Sequence, residues 1–181
     1  MYIFVDVETN GIGEFRPPTQ IITQLSFIKT DLHGNIVQRY SNLIKGAEKL
    51  ANIPQVVFTL DQLNRDGVEL GYALTNLKNA MEDKPLFVAH NAAFDSSIIK
   101  RDADRLGIDI ELKNCFCTMK SSTNFCKIIS FKKKEYKWPK LSELAKKLDI
   151  EYDSTKLHNS EVDTDLLREC FFKGKKLGVF S

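Results

Sequence analysis

The first eleven residues, MYIFVDVETNG, join a strand-like apolar run to two carboxylates at its end. Tyr2–Val7 is apolar apart from Asp6, and Glu8 follows just before Thr9-Asn10-Gly11. Residues i and i+2 of a strand point to the same face, so Asp6 and Glu8 are expected to lie side by side. Two carboxylates that close repel each other and raise each other's pKa. The pattern therefore predicts either a cation between Asp6 and Glu8 or a solvated strand end.

Composition restricts the class of protein. A chain of 181 residues with 43% hydrophobic and 28% charged residues is typical of one globular domain. The net charge of +2 does not by itself imply a polyanionic partner. No run has the length of a membrane span and no signal peptide is recognisable, so we expect a cytoplasmic protein without membrane contact. The four cysteines, at 115, 117, 126 and 170, lack zinc-ligand spacing and are expected to be reduced, mostly buried thiols.

Hydrophobic periodicity predicts a single α/β domain over residues 1–181. Strands are expected at Tyr2–Val7, Gln20–Lys29, Asn35–Ile44, Leu86–Ala89 and Cys115–Met119, the second and third forming an antiparallel hairpin. Helices are expected over residues 70–81, from Ala93 or Phe94 to Gly107, and over Leu141–Leu148 and Val162–Phe172.

A third carboxylate lies in the segment VAHNAAFDSSIIK, residues 88–100. An apolar strand there leads through His90-Asn91 into a helix whose first turn contains Asp95. The positive end of the helix dipole favours an acid at this position. Taken alone, Asp95 is equally well explained as an ordinary aspartate at a helix start.

A fourth carboxylate lies in LHNSEVDTDLLREC, residues 157–170. Asp163 precedes Leu166 and Leu167 by three and four residues, so it belongs to the inward-facing stripe of the predicted helix. Asp165 lies about 200° further round the helix and is expected at the surface. His158 stands just before the helix, where a capping or surface role is the alternative to a catalytic one.

Four acids that converge in one cleft require cations to remain ionised. Ligands that are all oxygens favour hard divalent ions, Mg²⁺ or Mn²⁺. Two such ions about 4 Å apart stabilise both the attacking and the leaving oxygen of a phosphodiester displacement. A neutral histidine close by, such as His158, can accept the proton of the attacking water.

The three motifs together resemble those of the DEDDh 3′–5′ exonucleases: D-x-E-T-x-G at Asp6–Gly11, H-N-x-x-F-D at His90–Asp95 and H-x-x-x-x-D at His158–Asp163. This family includes proofreading subunits of bacterial replicative polymerases and enzymes that trim DNA or RNA. The resemblance spans Met1 to about Phe172. It implies a ribonuclease-H-like fold, an α/β mixed five-stranded β-sheet with its first three strands antiparallel and α-helices on both sides.

The resemblance also implies roles for individual residues. Asp6 would bridge two metal ions, with Glu8 and Asp163 on the ion at the nucleophile side. Asp95 would hold the other ion through water, and His158 would be the general base. Substrate contacts are implied for four further positions and for the base itself: Thr9, Asn10, Asn91, Phe94 and His158.

Two further segments bear on the substrate. The family often has a histidine in the stretch that resembles PQVVFTLDQLNRDGVEL, and Val56 stands at that place. The segment from Lys127 to Lys140 contains six lysines but only one acid, and Phe131, Tyr136 and Trp138 are interleaved among these charged residues. Such a pattern suits single-strand binding but equally a solvated loop.

We therefore expect a metal-dependent 3′–5′ exonuclease that releases nucleoside 5′-monophosphates from single-stranded or frayed 3′ ends, with DNA as the favoured substrate. The alternatives are an RNA-trimming enzyme of the same fold and a non-catalytic, polymerase-associated nucleic-acid-binding module. The complete set of acids argues against the module. A free-standing enzyme is expected, with a polymerase partner as a possibility, and the sequence leaves the oligomeric state open.

Overall fold

One five-stranded β-sheet organises the chain in a computed structural model that describes residues 1–11, 19–130 and 135–180. Its strands are β1 (Tyr2–Thr9), β2 (Ile22–Thr30), β3 (Ile36–Leu43), β4 (Leu86–Ala89) and β5 (Cys115–Cys117), in the spatial order β3-β2-β1-β4-β5. Strands β1, β2 and β3 are antiparallel, whereas β4 and β5 run parallel to β1. The predicted ribonuclease-H-like α/β fold is confirmed.

Seven α-helices are present in the described residues: α1 (Leu60–Asp66), α2 (Leu70–Ala80), α3 (Ala92–Arg105), α4 (Thr118–Ser121), α5 (Thr123–Cys126), α6 (Leu141–Lys147) and α7 (Ser160–Lys176). A short 3₁₀ helix spans Ser154–Lys156. In the three ranges that the structure covers, no helix is long and apolar enough to cross a membrane.

The two faces of the sheet pack against different helices, which gives two apolar cores. Ile3, Val5 and Val7 of β1 lie in the core that contains α2 and α3. Phe4, on the opposite face, packs with residues of α6 and α7. Because side chains alternate along a strand, Asp6 and Glu8 continue the row of Phe4 on the α7 side of the sheet.

Helix α7 extends beyond the predicted Val162–Phe172 to Ser160–Lys176. Two further predicted boundaries shift for a local structural reason. The last strand ends at Cys117, and Thr118 begins α4, so the strand does not extend to Met119. The buried Thr118 side chain bonds to His90 and to the carbonyl of Ala89, which turns the backbone out of the sheet. Helix α3 begins at Ala92, before the expected Ala93 or Phe94, because Asn91 adopts a left-handed conformation with φ of 94°.

The cysteines follow the prediction only in part. All four thiols are free, but only Cys126 and Cys170 are buried, while Cys115 is exposed. Residues 12–18, which follow β1, lie outside the described residues, as does the centre of the lysine-rich segment, Phe131–Lys134.

Candidate active site

A cleft opens at the carboxyl end of β1, where the sheet changes from antiparallel to parallel pairing. Strand β1 pairs with β4 only as far as Phe4 and Val88, whereas it pairs with β2 through to Thr9. The last residues of β1 therefore have a strand neighbour on one side only. Open α/β sheets commonly bind ligands at such a point beyond the carboxyl ends of their strands. Asp6 and Glu8 lie here, each partly exposed.

Helix α3 contributes Asp95 to this cleft. The backbone N–H of Val7, beyond the last β1–β4 pair, donates to Asp95 Oδ1 at 3.3 Å. The Asp95 side chain thus replaces the missing strand partner of β1, and only 3% of the residue is exposed. One carboxylate oxygen is fixed by the backbone, which leaves the other available to a ligand.

The start of helix α7 contributes His158 and Asp163. Asn159 caps the helix by accepting the N–H of Glu161, and the N–H of His158 donates to Asp163 Oδ2 at 3.0 Å. His158 has a positive φ of 65°, a conformation in which histidine, asparagine and aspartate are enriched among non-glycine residues. Glu8, His158 and Asp163 each offer a ligand atom within 4.8 Å of the others.

Asp165, two residues beyond Asp163, has a different environment. Its carboxylate forms a two-pronged ion pair with Arg39 of β3, with N–O distances of 2.6 and 2.8 Å. The structure thus places Asp165 at the surface, away from the cleft, as the helical periodicity predicts.

Gln24 of β2 joins the two halves of the site, although no pattern in the sequence indicates this role. It pairs across the sheet with Glu8 and is only 4% exposed. Its Oε1 accepts the N–H of Ser160 at 2.9 Å, and its Nε2 donates to Asn159 Oδ1 at 3.1 Å. One side chain therefore ties the strand of Glu8 to the first turn of α7, which carries Asp163.

Burial opposes the ionisation of all four carboxylates in the cleft, and repulsion from neighbouring acids adds to it for Asp6 and Glu8. Burial, followed by repulsion from Asp95, Glu8 and Asp163, raises the pKa of Asp6 well above its usual value. Burial and the neighbouring acids raise the pKa of Glu8 to about 8. Burial raises the pKa of Asp95 to about 7 and that of Asp163 to about 6, although a backbone N–H opposes the shift in each case.

These acids fit divalent metal ions. Among the residues described, none of the four carboxylates forms an ion pair with a lysine or arginine, so nothing in that part of the chain neutralises them. Carboxylate oxygens are the ligands that Mg²⁺ and Mn²⁺ prefer. Bound cations would reverse the raised pKa values, because metal ligands bind in the deprotonated form.

The pKa of His158 is shifted in the opposite direction. Burial lowers it, and the positive charge of Lys140 lowers it further. The imidazole is therefore neutral at physiological pH and able to accept a proton.

The four predicted substrate contacts differ in their surroundings. Asn10 is 3% exposed, and its side chain bonds to the backbone of Thr19 and Ile21, so it links the end of β1 to the residues just before β2. The hydroxyl of Thr9 bonds to the backbone of Gly11. Phe94 is partly exposed and lines a pocket beside Glu8, Gln55 and Val56. Asn91 forms the left-handed turn before α3.

His90, the first residue of the second motif, is a partly buried residue that links two segments of the chain. Its ring nitrogens lie 2.9 Å from Thr118 Oγ1 and 2.9 Å from the carbonyl oxygen of Pro139. Burial lowers its pKa to about 4. A neutral His90 thus joins the end of β4 to the loop before α6.

Raised carboxylate pKa values predict how the metal-free fold responds to pH. The folded state holds protons that the unfolded chain releases near pH 4, so stability falls as pH rises from about 4 through 8. We expect the Tm in EDTA to be lower at pH 8 than at pH 6, and Mg²⁺ to raise it more at pH 8. Differential scanning fluorimetry at both pH values, with EDTA or Mg²⁺, measures this. An equal Tm gain from Mg²⁺ at both pH values would contradict it.

Gln24→Ala tests the link between β2 and α7. Removal of both hydrogen bonds leaves buried polar groups unpaired, at a cost of about 1–3 kcal/mol each. We expect a lower Tm and weaker Mg²⁺ binding, because Asp163 loses its fixed position relative to Glu8. Calorimetry with Mg²⁺ measures the second effect. Gln38→Ala, on the partly exposed β3, is the matched control, and equal Mg²⁺ affinity of the two variants would remove the positioning role.

The chain matches a known family of enzymes. A profile of 3′–5′ exonucleases matches residues 38–171, a range that includes Asp95, His158 and Asp163. The chain belongs to this family, and its three motifs are those of the DEDDh type. The enzyme class expected from the sequence is thereby confirmed. The family generally uses divalent metal ions, and Glu8, His158 and Asp163 lie close enough together to hold one.

The similar curated proteins are much longer polymerases. DNA polymerase III PolC-type from Staphylococcus haemolyticus is 31% identical over 183 residues, which is 98% of this chain and 12% of that protein. The Staphylococcus aureus protein of the same name is 29% identical over 185 residues, again 12% of its length. The chain thus spans about 12% of the length of these relatives.

Solved exonuclease structures share the fold. Exonuclease I from E. coli in complex with a dA16 oligonucleotide has a TM-score of 0.75 at 16% identity, covering 97% of this chain and 40% of that one. The nuclease domain of 3′hExo, bound to rAMP, has a TM-score of 0.76 at 16% identity, covering 98% and 92%. At this level of identity the similarity concerns the fold.

Proposed function

We propose that the chain hydrolyses phosphodiester bonds from the 3′ end of single-stranded or frayed DNA and releases nucleoside 5′-monophosphates. The observation that carries this proposal is the convergence of Asp6, Glu8, Asp95 and Asp163 beside His158 at the end of β1. The carboxylates would hold two Mg²⁺ or Mn²⁺ ions, which supply charge stabilisation for the attacking and leaving oxygens.

The chain's own residues would then perform three tasks. The carboxylates of Asp6, Glu8, Asp95 and Asp163 would hold the cations in fixed positions, and these positions would orient the reacting phosphate. Neutral His158 removes the proton of the attacking water through a ring nitrogen. The pocket lined by Glu8, Val56 and Phe94 marks where the terminal nucleoside would enter the cleft. Thr9, Asn10 and Asn91 shape this pocket through the backbone turns that they stabilise.

A role in proofreading or repair, with a polymerase as partner, is supported by the similarity to PolC-type polymerases over 98% of the chain. DNA as substrate and a cytoplasmic location are the choices that fit replication. RNA is the second candidate substrate, because a 3′-exonuclease described as recognising a histone mRNA stem-loop has a TM-score of 0.75 to this chain at 15% identity.

Degradation of 5′-labelled oligonucleotides tests the proposal. A DNA and an RNA strand of the same sequence are incubated with Mg²⁺ or with EDTA. We expect a ladder that shortens from the 3′ end in Mg²⁺ alone, faster on DNA, with a nucleoside 5′-monophosphate as product. Faster loss of RNA would move the proposal to the RNA-trimming enzyme. Tight binding without cleavage of either strand would favour the non-catalytic module.

A further inference from the structure

The only tryptophan of the chain, Trp138, lies exposed in a short extended segment before α6. The backbone N–H of Lys137 donates to the carbonyl of Ile128, and that of Ser130 to the carbonyl of Glu135, both at 2.8 Å. Residues 128–130 and 135–137 therefore form an antiparallel ladder, with residues 131–134 outside the described part of the chain.

Along this segment the aromatic side chains are exposed and the residues between them are less exposed, which is the reverse of the usual pattern for a surface strand. Tyr136, Trp138 and Lys140 are exposed, and Trp138 shows 59% of its surface. Lys137 is only partly exposed and pairs with Glu143 at 2.6 Å, whereas Pro139 is buried with its carbonyl against His90. A surface strand normally turns its aromatic residues inward and its lysines outward. The contacts of Lys137 and Pro139 keep the rings of Tyr136 and Trp138 exposed to solvent.

This aromatic face, Tyr136 with Trp138 and Lys140, begins at the catalytic cleft. Lys140 is close enough to His158 for its charge to act on the imidazole. His90 anchors Pro139 and is followed directly by Asn91, which begins α3 beside Asp95. The face therefore leads from the cleft outward. Lys120 Nζ lies 5.7 Å from the centre of the Trp138 ring and adds a second cation.

We infer that the aromatic face and Lys120 bind the single strand on the 5′ side of the scissile phosphate. Trp138 stacks on a base, and Lys120 and Lys140 contact backbone phosphates. This inference rests on the proposed function, since it requires the 3′ end to lie in the cleft. Stacking on aromatic rings beside lysines is the usual means of binding single strands without regard to sequence.

Fluorescence titration tests the inference directly, because Trp138 is the sole tryptophan. The probe is a short oligothymidylate with phosphorothioate linkages at its 3′ end, which resist hydrolysis, added in the presence of Mg²⁺. We expect saturable quenching of the tryptophan emission by the oligonucleotide and none by thymidine 5′-monophosphate, which fills the cleft alone. Absence of quenching by a bound oligonucleotide would overturn the inference.

Substitution at the ring provides the second measurement. Trp138→Ala is expected to raise the Kd of a labelled oligothymidylate, measured by fluorescence polarisation, about 5- to 100-fold, which corresponds to the loss of one stacked base. Trp138→Phe is expected to recover most of this affinity. Tyr72→Ala removes an aromatic ring of α2 that is equally exposed, at 59%, and is the matched control. Equal affinity of Trp138→Ala and Tyr72→Ala would overturn the inference.

Failure of this inference is distinguishable from failure of the proposed function. The quenching and the Kd values require no turnover, whereas hydrolysis of the p-nitrophenyl ester of thymidine 5′-monophosphate by the wild-type protein requires the cleft but no upstream strand. Ester hydrolysis without quenching would retain the exonuclease and reject the aromatic face. Quenching without ester hydrolysis would retain single-strand binding at the aromatic face and reject the nuclease, leaving Trp138 in a binding module.

Discussion

Asp6→Asn is expected to lower Mg²⁺-dependent hydrolysis of a single-stranded oligonucleotide by at least about 1,000-fold. Metal ions stabilise the developing charge by several kcal/mol, and about 1.4 kcal/mol corresponds to a factor of ten in rate. The other three acids all raise the pKa of Asp6, so its charge is strongly opposed when no cation is bound. Asparagine preserves the shape of the side chain but removes the charge that holds a cation. Initial rates at saturating Mg²⁺ measure the effect.

The same substitution is expected to stabilise the protein when no metal is bound. At pH 8 the buried Asp6 destabilises the metal-free fold, because it must either stay charged beside the other acids or take up a proton that the unfolded chain does not hold. Asparagine removes this cost. A gain of about 1 kcal/mol raises the Tm of a chain this size by about 2–4 °C. In EDTA, Asp6→Asn should therefore melt above the wild type, and Mg²⁺ should raise its Tm less. Loss of activity with a higher metal-free Tm cannot be attributed to misfolding.

Asp165→Asn is the matched control for this prediction. It removes an aspartate from the same neighbourhood in sequence as Asp163, but at the surface, where the partner is Arg39. Exposed ion pairs contribute about 0–1 kcal/mol, so the rate and the Tm should stay close to the wild-type values. Wild-type activity in Asp6→Asn would show that Asp6 has no catalytic role. Equal losses of activity in Asp6→Asn and Asp165→Asn would show that the effect is not specific to the cleft.

The positions of Asp6, Glu8 and Asp163 could be predicted from sequence because simple periodicity defines each of them. Alternation on a strand puts Asp6 and Glu8 on one face, and the helical stripe of Leu166 and Leu167 distinguishes Asp163 from Asp165. These rules depend only on local backbone geometry, which the apolar pattern reveals. The sheet follows from the same patterns together with the family resemblance.

What the sequence did not reveal depends on contacts between distant elements. Gln24 looks like an ordinary polar residue of a strand, and only the pairing of β2 with β1 and α7 shows that it connects Glu8 to the first turn of α7. Asn10 has its side chain occupied by loop backbone for a similar reason. The early end of β5 reflects the bond between Thr118 and His90, whose partners are 28 residues apart.

His158→Asn is expected to reduce the rate about 100- to 10,000-fold at neutral pH, the usual contribution of a general base. Asparagine is chosen because it tolerates the positive φ of 65° at this position, which alanine would strain. The variant keeps all four carboxylates, so Mg²⁺ binding measured by calorimetry should stay close to the wild type. That separates loss of the base from loss of the metal ligands.

The pH profile distinguishes a base from a merely structural histidine. Only neutral imidazole accepts a proton, so the wild-type rate should rise with pH and level off above the pKa of His158. Burial and Lys140 place that pKa below its usual value of about 6.5, so the midpoint should lie below 6.5 at saturating Mg²⁺. Lys140→Gln removes the positive charge and should move the midpoint to higher pH, whereas His158→Asn should abolish the acidic limb. If the acidic limb is unchanged in His158→Asn, the titration belongs to the carboxylates. Protons compete with Mg²⁺ for these carboxylates, so a higher Mg²⁺ concentration would then shift the limb to lower pH.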